Sequence, residues 1–271
     1  MIQLTENVYV ETGVFACNLG LITTSEGNVL IDSPMRPTDA IKWRDEISSM
    51  GEVRYHVNTE EHPDHTDCSR FLPGVLITHQ NTRERLEKVS ADELLNRAKH
   101  IDPEGVAIAE GCPLRLPDIT FSDSLDLYLG NLTVKLFHLP GHTDGGIGVY
   151  IPEEKVVFST DIVFHKKKTW LHESTPSKWL ESINILDELD TEMIVPGHGD
   201  VCKKDYLNEQ AGIINKWVEL VQSAIAQGLS VDEAKAKISC PDPHPKQPKT
   251  YMTEEGLNEA IIARLYSIYS D

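Results

Sequence analysis

The sequence predicts an α+β protein, with a body of mixed strands and helices over residues 1–205 and a helical extension over 206–271 packed on it. Three observations carry this prediction. Apolar runs of strand length recur throughout the body, amphipathic helical stretches separate several of them, and beyond Cys202 the pattern is purely helical.

Strands are expected at 8–10, 17–22, 29–31 and 53–57, with a helix over 38–50 between the last two. Thr38 is placed to cap that helix, and Ile41 and Ile47 to face a sheet. A short strand follows at 75–78. Residues 81–100 read as one helix with Leu86, Val89 and Leu94 near one face. The stretch 101–117 reads as irregular, because Pro103, Gly105, Gly111, Pro113 and Pro117 interrupt any helix, and it is a candidate for a loop over a site. Strands resume at 119–121, 125–128, 132–139, 147–151 and 156–158. Ser174-Thr175-Pro176 then opens a helix with a hydroxyl cap and a proline in its first turn. Trp179, Leu180, Ile183, Leu186 and Leu189 give that helix an apolar stripe. The extension divides into helices at 206–227, 230–238 and 253–269, with a link through Pro241, Pro243, Pro245 and Pro248. Ser230 and Glu233 form a capping box.

Composition narrows the function classes. The 43 acidic and 25 basic residues leave a formal charge of −18, which repels phosphate backbones and argues against a nucleic-acid partner. Small neutral or weakly charged molecules remain as substrates. Cys17, Cys68, Cys112, Cys202 and Cys240 are odd in number and lack C-x-x-C spacing, as expected of reduced thiols in a cytoplasmic protein. The start of the chain lacks the pattern of a targeting segment, and no run approaches the roughly 20 apolar residues that span a bilayer, so no membrane partner is expected.

The chemistry concentrates in Glu60-Glu61-His62-Pro63-Asp64-His65. Every second residue from Glu60 is a potential metal donor, and such alternation points side chains the same way along an extended chain. His65 breaks the alternation, so the backbone must turn there, and Pro63 ends any regular ladder. Two later segments each present one histidine in a glycine-rich turn after an apolar run. They are Pro140-Gly141-His142-Thr143 and Pro196-Gly197-His198-Gly199. Between them, the run 156–161 ends in Asp161.

In order and spacing, from about Leu4 to about Cys202, these segments resemble the metallo-β-lactamase superfamily. Its usual signature is His-x-His-x-Asp-His, a Gly-His-Thr, an Asp at a strand end and a Gly-His-Gly. The resemblance implies a four-layer αββα sandwich, two sheets face to face with helices outside, and a two-metal site along one edge. One metal position would take Glu60, His62 and His142; the other would take Asp64, His65 and His198, with Asp161 bridging. Glu60 departs from the pattern by standing in the place of the first histidine.

The implied activity is hydrolysis of a small ester, lactone, thioester or amide, β-lactams included, with Asp64 orienting the nucleophile and passing a proton to the leaving group. Two divalent ions are expected, zinc first. The oxygen donor Glu60 also suits iron or manganese, and its charge takes the centre from about +1 to about neutral. Two alternatives are a diiron redox protein and a noncatalytic metal-binding sensor. His165, Lys166 and Trp170, soon after Asp161, are candidates for the pocket mouth, with Phe164 and His172 beside them. Phe15 and Asn18 are candidates for the substrate edge by resemblance. His56, His79, His100 and His138 fall outside the pattern, and His244 reads as a surface residue. The helical extension is similar to the tails of lactonase-like and glyoxalase-like relatives, which implies a role in shaping the pocket or in a homodimer contact.

Overall fold

The computed structural model describes residues 1–246 and 252–270, so Pro248 of the expected link lies outside the described residues. Two mixed sheets form its centre. The first runs in chain order: β1 (Ile2–Gln3), β2 (Val8–Glu11), β3 (Leu19–Ile22), β4 (Asn28–Ile31), β5 (Val53–Val57), β6 (Val75–His79) and β7 (Ile119–Phe121). It is antiparallel up to β4 and parallel from β4 to β7. Parallel neighbours need crossovers. These are supplied by α1 (Pro37–Ile47), the one-turn α2 (Pro63–Thr66), and a group of three, α3 (Gln80–Leu86), α4 (Ala91–Ile101) and α5 (Val106–Ala109).

In the second sheet β8 (Ser124–Leu129), β9 (Leu132–His138), β10 (Ile147–Ile151) and β11 (Val156–Phe158) form an antiparallel meander. After β12 (Phe164–His165) and α6 (Pro176–Glu188), β13 (Met193–Val195) pairs parallel with β11, and β14 (His198–Gly199) pairs parallel with β12. The chain continues as α7 (Tyr206–Ala226), α8 (Val231–Lys237) and α9 (Glu254–Tyr269).

Side-chain patterning explains the layers. β4 and β10 are buried at every position, as strands covered on both faces must be. Between the sheets, Val8, Val29, Ile31 and Val57 of the first meet Val134, Val149, Val156 and Phe158 of the second in one apolar cluster. On the outer face of the first sheet, Trp43 and Ile47 of α1 cover Leu19, Leu21 and Leu30. On the outer face of the second, Tyr150, Val157 and Ile194 lie under Trp179 and Leu186 of α6, Trp217 and Val221 of α7, and Ile261 and Leu265 of α9. The result is the αββα sandwich with the C-terminal helices continuing its second helical layer.

Several local expectations change. Residues 81–100 hold two helices, because Ser90 and Glu93 form a capping box that starts α4, with the Ser90 N–H on Glu93 Oε2 at 2.8 Å. The apolar spacing of Leu86, Val89 and Leu94 had hidden that break. Thr38 does not cap α1; it lies inside the helix, its N–H held by Asp102 Oδ2 at 2.9 Å. The buried face of α1 is Pro37, Ala40, Trp43 and Ile47, while Ile41 is half-buried. The stretch 101–117 contains a short 3-10 turn and α5, and Gly105 packs against Pro37 at the start of α1. The Ser230–Glu233 box forms as the sequence predicts. Among the described residues no helix is long and apolar enough to cross a membrane.

Candidate metal centre

Beyond the end of β5 the chain bends through Glu60, Glu61 and His62, then Pro63 at the first helical position opens the single turn of α2. This puts Glu60 and His62 on one side of the turn and swings Asp64 and His65 in beside them. The turn is fixed from below by the His65 carbonyl, which accepts from Asn58 Nδ2 at 2.6 Å, Ser33 Oγ at 2.9 Å and the Ser33 N–H at 3.1 Å. His142 follows β9, and its turn seats on α6 at Gly141, whose φ of +145° and overlap with the Trp179 backbone admit no side chain. His198 lies beyond β13. There Asn18 clamps the turn, donating from Nδ2 to the carbonyls of Pro196 at 2.8 Å and Gly199 at 2.7 Å. Gly197 is required because a Cβ would overlap the Asp161 carboxylate.

Seven side chains converge. Glu60 Oε1 lies 2.9 Å from His62 Nδ1 and 3.8 Å from His142 Nε2, and His62 Nδ1 lies 3.1 Å from His142 Nε2. On the other side, Asp64 Oδ2 lies 3.4 Å from His198 Nε2 and 4.0 Å from His65 Nε2. Asp161 joins the two groups, with Oδ1 3.3 Å from His65 Nε2 and Oδ2 3.1 Å from His198 Nε2 and 3.5 Å from His142 Nε2. Glu60 Oε1 is also 3.3 Å from His65 Nε2, so it too faces both groups.

The donor set fits divalent cations. Donors about 2.1 Å from a tetrahedral ion stand roughly 3.4 Å apart, a spacing that these separations bracket. Within the cluster, Glu60 Oε2, Asp161 Oδ1 and His65 Nε2 are buried without a hydrogen bond, which is costly unless something else meets them. The outer ring nitrogens are anchored: His65 Nδ1 lies 3.0 Å from Asp32 Oδ2, and His198 Nδ1 lies 3.0 Å from the Ala16 carbonyl. A proton held on each Nδ1 leaves each Nε2 with its lone pair facing the cluster. His62 is oriented in the opposite sense, with Nε2 3.5 Å from Glu173 Oε2 and Nδ1 inward.

Electrostatics agree with a site built for positive charge. Burial opposes ionisation of Glu60, but His62 and His142 outweigh it and hold the carboxyl at about 2. Asp161 is likewise buried, yet His198 and His65 hold it well below the usual range. Burial disfavours the charged form of His62, His65 and His198, and the surrounding acidic groups overcome it and raise all three. In His142 burial prevails and the pKa falls. Next to the cluster, burial and the adjacent Glu60 push Glu61 up to about 7. Three supporting residues also have left-handed backbones: Ala16 at φ 84°, Asp32 at 59° and Thr160 at 46°. For a β-branched residue such as Thr160 this is a strained conformation, of the kind that collects at functional sites.

The remaining sequence candidates divide. Phe164 forms part of the wall, stacked on the His198 ring at 5.1 Å. Trp170 meets the edge of His172 at 5.4 Å, and His172 stacks on His62 at 6.1 Å, so Trp170 reaches the cluster through His172. His165 and Lys166 are not brought to it. His165 Nδ1 pairs with the Asp200 carbonyl at 2.7 Å, the Lys166 N–H donates to the Tyr206 hydroxyl at 3.0 Å, and both border a depression with Cys202, Lys203 and Glu209. His244 joins that region through Glu209 at 2.8 Å. His79 and His138 stack on each other at 4.1 Å. His56, held neutral by burial at about 3, braces the Asp32 carbonyl at 3.1 Å.

Sequence reasoning missed Asp32, Thr59 and Glu173. Thr59 fixes Asp32 through its N–H and hydroxyl, both at 2.7 Å. A carboxylate placed directly after the wholly buried β4 was the available signal for Asp32.

Comparisons with known proteins agree with this fold. Residues 12–198 match the family described as Metallo-beta-lactamase superfamily. The chain is 21% identical over 290 residues to a linear primary-alkylsulfatase of Pseudomonas sp. (strain ATCC 19151), covering 92% of this chain and 55% of that one. It is 29% identical over 128 residues to a hydroxyacylglutathione hydrolase of Bartonella quintana (strain Toulouse), covering 47% and 49%. The chain thus spans about half the length of these curated relatives. Among solved structures, an inverting sec-alkylsulfatase from Pseudomonas sp. aligns with a TM-score of 0.76 at 14% identity, covering 99% of this chain and 50% of that one. A metallo-beta-lactamase family protein from Thermus thermophilus aligns at 0.71 and 17% identity, covering 97% and 94%. The match over residues 12–198, together with the αββα sandwich, shows that this chain belongs to the metallo-beta-lactamase superfamily.

Proposed function

We propose that this protein is a metal-dependent hydrolase of a small ester-type substrate, in which Glu60, His62 and His142 would hold one divalent ion and Asp64, His65 and His198 a second, with Asp161 between the two groups. The observation that carries the reading is the anchoring of His65 by Asp32 and of His198 by the Ala16 carbonyl, which turns two imidazole lone pairs into a carboxylate-lined cluster. Divalent cations held there would supply Lewis acidity toward a substrate oxygen and acidify water.

The chain's own residues do the rest. Glu60 and Asp161 are almost wholly buried, whereas the Asp64 side chain is 20% exposed, so Asp64 is the carboxylate of the cluster able to reach substrate and solvent. Its place suits it to hold the attacking water by a hydrogen bond and to carry the proton to the departing oxygen. Phe164 and Trp179 pack against His142 and exclude water from that side. Carboxylic esters, lactones and thioesters fit this chemistry, and sulfate esters join them through the alkylsulfatase match along most of the chain.

The test is metal quantification on protein purified without added metal, then reconstitution with zinc, manganese or iron and a screen of chromogenic esters, lactones, thioesters, a cephalosporin and an aryl sulfate. Chelator-sensitive turnover of one class, lost in Asp64→Asn, is the expected result; inactivity with every ion and substrate overturns the reading. The three carboxylates Glu60, Asp64 and Asp161 favour one other assignment, a diiron redox centre. An oxo-bridged iron absorption band in the purified protein would select it.

A further inference from the structure

The segment between β12 and α6 carries two adjacent metal-type donors, His172 and Glu173, that the seven-membered cluster does not use. Ser174 closes the turn behind them, its N–H and hydroxyl both donating to the Leu171 carbonyl, at 3.2 and 2.9 Å. Arg264 Nε, on the Ser174 carbonyl at 2.9 Å, fastens the same turn to α9. Both donors are thereby held on the outer side of His62. The imidazoles of His172 and His62 are 16° from parallel with their centres 6.1 Å apart, and Glu173 Oε2 is 3.5 Å from His62 Nε2. One donor atom from each of His62, His172 and Glu173 lies within 4.8 Å of the other two.

His62 turns Nδ1 toward Glu60 and His142, which leaves Nε2 as its donor on this outer side. That Nε2 and Nδ1 of His172 make no hydrogen bond among the described residues. Unlike the inner cluster, the group opens to solvent through its carboxylate. The Glu173 side chain is 42% exposed, against 1% for Glu60, so a cation has a route to the imidazoles along Glu173. The partner that Glu173 now holds, Arg85 Nη2 at 3.3 Å, is itself largely exposed, and such a surface pair is weak and readily displaced. Two imidazoles and one carboxylate form a borderline donor set of the kind that suits zinc. The formal charge of −18 raises the local concentration of cations around the molecule.

We propose that His62 Nε2, His172 and Glu173 form an outer site for a further divalent cation, of the zinc class, that binds more weakly than the inner pair and exchanges with solvent. An ion there takes the place of the proton on His62 Nε2, which leaves to solvent, and His62 then stands between an inner and an outer ion. The site shares His62 with the centre proposed above, but it is tested by binding alone. Metal-stripped protein is dialysed to equilibrium against a rising series of free zinc concentrations, and bound zinc is counted by elemental analysis. Wild type is compared with His172→Gln, Glu173→Gln and Glu219→Gln, the last removing a surface carboxylate of α7, and melting temperature is recorded for each. A weaker equivalent of zinc beyond the inner pair in wild type and Glu219→Gln, with its affinity lowered tenfold or more in His172→Gln and Glu173→Gln, is the expected result. Absence of that equivalent from wild type, or its equal presence in all four proteins, overturns the proposal. Should His172→Gln fail to fold, His172→Phe keeps a ring against His62 without a nitrogen, and the same loss is expected of it. If the tight equivalents were missing and only the step lost in His172→Gln remained, the inner centre and the hydrolase reading would fall while the outer site stood.

Discussion

Asp32 Oδ2 stands 3.0 Å from Nδ1 of His65, and neither side chain has appreciable contact with solvent. Two hydrogen bonds from Thr59 fix the carboxylate, whose pKa burial raises even though His65 and Thr59 oppose the shift. Asp32 therefore sets which nitrogen of His65 faces the cluster. In Asp32→Asn the amide can present its NH2 instead of an acceptor, and the imidazole loses the partner that fixes its tautomer. Metal affinity is expected to fall about 10- to 100-fold, the range seen when such outer partners are changed. Competition with a chromogenic chelator measures it, and an unchanged affinity would remove Asp32 from the site.

The raised imidazoles and the depressed carboxyl make the stability of the metal-free protein depend on pH in two directions. For His62, His65 and His198 the folded pKa lies above 6.5, so their contribution is fully present below pH 6.5 and is lost as pH rises through the folded values. For Glu60 the folded pKa is about 2 against 4.5, so its contribution is present above pH 4.5 and is lost as pH falls toward 2. Chelator-treated protein should thus melt at lower temperature on going from pH 6.5 to 9. Metal binding needs deprotonated imidazoles and strengthens over the same interval. The gap in melting temperature between loaded and stripped protein should therefore widen with pH. A gap that narrows would contradict the assignment of these histidines.

Which parts of this were readable beforehand follows from how local each signal is. Glu60, His62, Asp64 and His65 sit within six residues, and the glycine turns around His142 and His198 announce themselves because a side chain at Gly141 or Gly197 has no room. Asp32 carries no such mark; its meaning depends on Thr59 and His65, which only the parallel β4–β5 pairing brings alongside. The positions of His165 and Lys166 follow from strand alternation, which their place soon after Asp161 does not reveal. In β12 the side chain of Phe164 faces the cluster, which turns its neighbour His165 toward Tyr206. The division between α3 and α4 was legible in Ser90 and Glu93, but the apolar period across the break was the stronger pattern.

Lys168 is a buried cation outside the cluster, and its ammonium bonds Glu254 Oε1 at 2.8 Å and the Asp242 carbonyl at 3.1 Å. Asp242 in turn accepts from the Thr169 N–H at 2.7 Å, so the link before α9 is fastened to the segment that leads to Trp170 and His172. Lys168→Met keeps the stem and removes the bonds. The loss expected is about 1–3 kcal/mol, the usual effect of stripping a buried polar partner. Denaturant melts check the magnitude, and metal content should remain that of the wild type because Lys168 touches none of the seven donors.

Glu60 is the residue on which the chemistry of this site turns. Its Oε1 lies within 3.8 Å of a nitrogen from each of His62, His65 and His142, so replacing it alters both donor groups at once. Glu60→His exchanges an anionic oxygen donor for a neutral nitrogen donor and raises the net charge of the loaded centre by about one. More positive charge favours ionisation of the reacting water, so the rising limb of the pH–rate profile should move to lower pH. Nitrogen also suits zinc better than manganese, and the ratio of the two metals retained from an equimolar mixture should move toward zinc. Glu60→Ala supplies no donor, and elemental analysis should show a reduced metal-to-protein ratio. If Glu60→Ala kept both the stoichiometry and the affinity of the wild type, Glu60 would be a buried neighbour of the donors and no ligand, and the shift predicted for Glu60→His would lose its basis.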